Sequence, residues 1–64
     1  MNPLNKAKIW IVIAAYNEEK SIGSVVKGLK EAGYGNVIVV DDGSTDQTSV
    51  VALKETQYAL RHVI

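Results

Sequence analysis

Two continuous apolar runs, each followed by a segment of mixed polarity, set the architecture this chain predicts. The first run, Lys8–Ala14, reads Lys-Ile-Trp-Ile-Val-Ile-Ala and is rich in β-branched residues. Such a run without polar alternation predicts a strand buried on both faces. The second, Asn36–Val40 running into Asp41, has the same character and predicts strand 2. Between them Ile22, Val25, Val26, Leu29 and Ala32 recur at spacings of three and four, the stripe of an amphipathic helix. Asn17 is placed to cap that helix, with Glu18 and Glu19 favouring the positive end of its dipole. Gly33 is placed to close it in the left-handed conformation.

After strand 2, Asp46 is the expected cap of a second helix, Gln47 to about Thr56, whose apolar stripe is weak. Tyr58–Ile64 predicts a third strand. Strand, helix, strand, helix, strand with right-handed crossovers gives three parallel strands with both helices on one face. Met1–Ala7, with Pro3 and two asparagines, reads as a loosely ordered lead-in to a single unit spanning 8–64. The other face of the sheet also expects cover, and no residues remain to supply it. The expectation is therefore the front part of a larger domain, or a chain that associates.

Composition narrows the function classes. Seven basic and seven acidic residues cancel, which removes the electrostatic footprint of a nucleic-acid partner. There is no cysteine, and so neither a disulfide framework nor a thiolate metal site. The apolar part of Ile9–Ala15 is too short for a membrane helix, which needs ~20 residues. Sixty-four residues bury only about 60% of the surface exposed by the unfolded chain, so the core is marginal.

The chemistry concentrates at the carboxyl ends of the two strands, where open parallel sheets bind ligands. There the chain reads Val37-Ile-Val-Val-Asp-Asp-Gly-Ser-Thr-Asp-Gln-Thr48. Asp41 and Asp42 would be costly in a core and are natural as ligand contacts. Gly43 permits a sharp turn, while Ser44, Thr45 and Asp46 offer capping oxygens. Tyr16, at the end of strand 1, offers a flat apolar wall, and a carboxylate can accept hydrogen bonds from base N–H groups. His62, the sole histidine, has no partner visible in the sequence and reads as packed or exposed.

Ile11-Val-Ile-Ala-Ala-Tyr-Asn-Glu-Glu19 followed by the 37–48 stretch resembles the start of a family 2 glycosyltransferase. The closest group is the dolichyl-phosphate and polyprenyl-phosphate mannosyl- and glucosyltransferases. The resemblance implies the Rossmann-like βαβαβ half of a GT-A domain. It implies a donor site for a UDP- or GDP-linked sugar, with Ala14, Ala15, Tyr16 and Glu18 lining the nucleoside pocket. In the family's pattern Asp41 contacts the base, and Asp42 and Gly43 shape the same pocket. The acceptor it implies is a polyprenyl phosphate, and the location is cytoplasmic, at the membrane face through segments outside this chain.

Two departures stand out. Ala14 replaces a proline common in the family. The family's Asp-x-Asp metal motif, catalytic base and acceptor site fall beyond Ile64, so Mg2+ or Mn2+ is expected only in the full-length enzyme. No catalytic or metal residue is expected within these residues, and the chain alone is expected not to transfer sugar.

Other classes fit less well. A dinucleotide-binding unit needs Gly-x-Gly-x-x-Gly after strand 1, and Ala14-Ala-Tyr-Asn-Glu18 lacks it. A receiver domain would close strand 1, not strand 2, with an acidic pair. A non-catalytic remnant that folds by self-association remains the competing class.

Overall fold

A computed structural model describes residues 6–62. A short 3-10 turn, Lys6–Lys8, leads into strand β1 (Trp10–Ala15), helix α1 (Ile22–Glu31) and strand β2 (Asn36–Asp41). Helix α2 (Thr48–Glu55) and strand β3 (Tyr58–Arg61) complete it. The strands form one parallel sheet in the order β1-β2-β3. This is the expected α/β, Rossmann-like half-domain, with both helices packed together over one face.

The strand ends differ in detail from expectation. Ile9 N–H closes on Lys6 O at 3.2 Å, which holds Lys8 in the turn and starts β1 at Trp10. Of the expected lead-in, residues 1–5 lie outside the described residues. Lys6 is tied down: its Nζ donates to Ala32 O at 2.9 Å and stands 5.1 Å from the Tyr34 ring centroid. The last two residues of the expected third strand, Val63 and Ile64, also lie outside the described residues.

Sheet alternation decides what is covered. Ile11, Ile13, Ala15, Val37 and Val39 point toward the helices, where they meet Ile22, Val26, Leu29, Val51 and Ala52. Val26, Val37 and Val39 are fully buried, and full burial of such a side chain contributes ~1.5–3 kcal/mol. On α1 the positions 22, 26 and 29 make the buried line, and Val25 falls on its flank, about half exposed. Helix α1 ends as expected. Gly33 takes φ 102°, and Tyr34 N–H reaches back to Leu29 O at 3.0 Å.

The opposite face of the sheet is uncovered among the described residues. Val12 is 64% and Leu60 62% exposed, and Trp10 meets Tyr58 edge-on at 5.2 Å between centroids. β1 and β2 are thus covered on one face only among the described residues, not buried on both faces as their composition implied.

Candidate nucleotide-binding site

The strand register aligns the chemistry. Ala15 pairs with Asp41 and Asp41 with Arg61 across the last row of the sheet. Two more hydrogen bonds extend that ladder by one residue, from Asp42 N–H to Ala15 O at 3.0 Å and from His62 N–H to Asp41 O at 2.8 Å. Tyr16, Asp42 and His62 consequently stand side by side just beyond the sheet, one from each strand. Tyr16 is 57% exposed. His62 Nδ1 lies 3.1 Å from Asp42 Oδ1, and both side chains are mostly solvent-facing.

Asp41 behaves differently from its neighbour. It shares the inward parity of Val37 and Val39 and is 1% exposed. Its Oδ1 accepts from Ser44 N–H at 2.9 Å and from Ser44 Oγ–H, and its Oδ2 accepts from Ser49 Oγ–H. Burial pushes the Asp41 carboxyl up, but these hydrogen bonds and the Arg61 charge outweigh it and hold it below its ordinary value of 3.8. Arg61 Nη2 donates to Ser44 O at 2.9 Å. Asp41 is therefore an internal anchor for the loop after β2, and of the two adjacent aspartates it is Asp42 whose carboxylate is open to solvent.

The loop after β1 is bolted to the loop after β2. Ser44 Oγ accepts from Asn17 N–H at 2.8 Å, and Asn17 Oδ1 accepts from Thr45 N–H at 2.8 Å. Glu18 N–H donates to Thr48 Oγ1 at 2.8 Å. Asp46 accepts from Thr48 N–H at 2.9 Å, from Thr48 Oγ1–H, and from Glu19 N–H at 3.3 Å. Burial pushes the Asp46 carboxyl up, and the Thr48 and Glu19 bonds more than offset this to leave it lowered. Every buried side-chain nitrogen and oxygen among the described residues has a partner.

Two expected caps take other roles. Asn17 does not cap α1, which begins at Ile22 with Ser21 as N-cap. Asn17 instead adopts φ 52° and spends its side chain on Thr45, a position where Asn tolerates the left-handed conformation. The N-cap of α2 is Gln47, whose side chain makes no capping bond; Asp46 serves the helix start from one position earlier.

The expected site residues separate accordingly. Tyr16, Asp42 and Gly43 come together at the rim, with Gly43 at φ 75°. The Ala15 side chain is in the core and Ala14 is exposed on β1. Glu18 turns its carboxylate to accept from Ser21 Oγ–H at 2.9 Å. His62 joins the rim although sequence reasoning set it aside. The signal for it was its place just past β3, in register with Asp42. Among the described residues no three His, Asp or Glu side chains are grouped to hold a metal ion.

The family model for glycosyl transferase family 2 matches residues 10–64. The chain belongs to that family. An uncharacterized protein of Methanocaldococcus jannaschii is 50% identical over 64 residues, all of this chain and 26% of the relative. The UDP-N-acetylglucosamine--dolichyl-phosphate N-acetylglucosaminyltransferase of Methanococcus voltae is 55% identical over 40 residues, 62% of this chain and 16% of its own length. The dodecaprenyl-phosphate galacturonate synthase of Rhizobium johnstonii is 36% identical over 58 residues, 83% of this chain and 17% of the relative. This family 2 chain thus spans about a quarter or less of these relatives. No solved structure gives a significant match. Among the described residues no helix is long and apolar enough to cross a membrane.

An open cleft of about 440 Å³ lies at the amino end of the sheet, between Lys30, Gly35 and the 53–58 segment. It is remote from the loops that distinguish this family 2 chain, and ligands of parallel sheets lie at the carboxyl end.

Proposed function

We propose that this chain is the donor-nucleotide portion of a glycosyltransferase that moves a hexose from a UDP- or GDP-linked sugar to a polyprenyl phosphate. The observation that carries the reading is the rim of Tyr16 and Asp42, held beside each other by two cross-linked loops. Names of two relatives, one with a dolichyl-phosphate and one with a dodecaprenyl-phosphate, favour the acceptor class. In this reading the base lies against the Tyr16 ring and donates an N–H to the Asp42 carboxylate. Gly43 lets the backbone turn away beneath it. Asp41 contributes from behind, by fixing Ser44 and through it the Asn17 loop. Ala14, Ala15 and Glu18 contribute backbone and loop shape.

No catalytic residue is assigned within the chain. A divalent ion, Mg2+ or Mn2+, would be held in the full-length enzyme by residues outside these 64. In this reading the work is done at the cytoplasmic membrane face, where a nucleotide-sugar donor would meet a lipid acceptor.

Calorimetric titration with uridine and guanosine diphosphates tests the reading. Asp42→Asn keeps size and removes charge; with a charge-assisted bond at stake, affinity falls by about tenfold or more. Equal affinity of wild type and Asp42→Asn contradicts the base contact.

One observation favours a second reading, a non-catalytic unit that pairs with another copy of itself. The uncovered face bearing Trp10, Val12 and Leu60 is an apolar surface of the kind that mediates association.

A further inference from the structure

We infer that His62 is a positioning residue for Asp42, and this inference rests on the nucleotide reading above. Its backbone is seated firmly. His62 N–H donates to Asp41 O at 2.8 Å, and its carbonyl oxygen lies 3.3 Å from where a Cβ on Gly43 would stand. The ring then reaches sideways, and Nδ1 meets Asp42 Oδ1 at 3.1 Å.

Among the described residues no other side chain donates to Asp42. An exposed aspartate otherwise samples several rotamers, and fixing one of them on binding costs affinity. With Oδ1 engaged by His62, the Asp42 carboxylate is restrained at the end of the ladder that seats Asp42 next to the β1 loop bearing Tyr16. The segment just past β3 therefore takes part in the site through His62. The pair is solvent-facing, at 62% and 68% exposure, so its effect is modest and is read as affinity rather than as stability.

Titration of uridine diphosphate into the 64-residue chain, followed by amide resonances, separates the possibilities. His62→Ala weakens binding about two- to fivefold, the range of an exposed side-chain pair. His62→Asn, whose amide nitrogen stands near the Nδ1 position, restores the affinity. His62→Gln, whose amide nitrogen stands near the Nε2 position, does not. In an Asp42→Ala background His62→Ala has no further effect.

Unchanged binding in His62→Ala overturns the inference and leaves the nucleotide reading intact. Rescue by Gln but not Asn also overturns it, since the ring would then touch the ligand itself. Absence of uridine and guanosine diphosphate binding by the wild type removes the nucleotide reading and this inference together. A ligand-free check uses the sole histidine of the chain. In its neutral form the ring nitrogen shifts show the proton on Nδ1, and Asp42→Ala abolishes that preference. A proton on Nε2 in the wild type overturns the positioning role.

Discussion

Replacing Asp41 with asparagine should destabilise this chain well beyond what a turn residue would. The carboxylate accepts three hydrogen bonds, two from Ser44 and one from Ser49, at a position 1% exposed. Hydrogen bonds to a charged group contribute ~1.5–3 kcal/mol and neutral ones ~0.5–1.5 kcal/mol, so each loses about 1 kcal/mol. A neutral amide is easier to bury, which offsets part of this, and the net cost is about 2 kcal/mol. In a domain this small that lowers Tm by roughly 10 °C. The pH dependence supplies an independent check. The folded carboxyl lies below its ordinary value of 3.8, so its contribution is complete above that value and is lost as pH falls through the folded value. Thermal melts by circular dichroism should therefore show the full gap between wild type and Asp41→Asn at neutral pH. The gap should shrink once pH drops below 3.8. A gap of a degree or two, or one independent of pH, would refute the anchoring role.

Further outcomes follow from the loop lattice and the open face. Asn17 holds φ 52° and accepts from Thr45 N–H, so Asn17→Ala loses both the tolerated backbone and the acceptor. Asn17→Gly loses only the acceptor and should melt above Asn17→Ala by about 1 kcal/mol, the cost of the left-handed backbone; equal melting points would remove the strain argument. The 64-residue chain should sediment as a dimer or larger species, and Val12→Lys with Leu60→Lys should shift it toward monomer, because both side chains lie on the uncovered face. A monomeric wild type across the concentration series would contradict that.

The strands, α1 and its Gly33 closure were legible because local patterns specify them: β-branched runs, a helical stripe and a left-handed glycine. What escaped the sequence were partnerships across long separations. Asn17 looks like a helix cap until Thr45 claims its side chain from the other loop. Asp41 and Asp42 are chemically identical, and only strand parity separates them. Val37 and Val39 point inward, so Asp41 does too, while Asp42 turns out to solvent. Reading β2 as buried on both faces concealed that parity. The same register brings His62 beside Asp42, a relation between strands that no single segment displays.

The central claim, a nucleoside site at the carboxyl end of the sheet, is tested most directly by mapping amide shifts as uridine and guanosine diphosphates are titrated into the chain. One of them should move residues 15–18, 41–44 and His62, with Tyr16 and Asp42 among the largest changes. The amino-end cleft around Lys30 and Thr56 should stay still. Shifts confined to that cleft, or none at concentrations well above those at which nucleotides ordinarily bind, would contradict it.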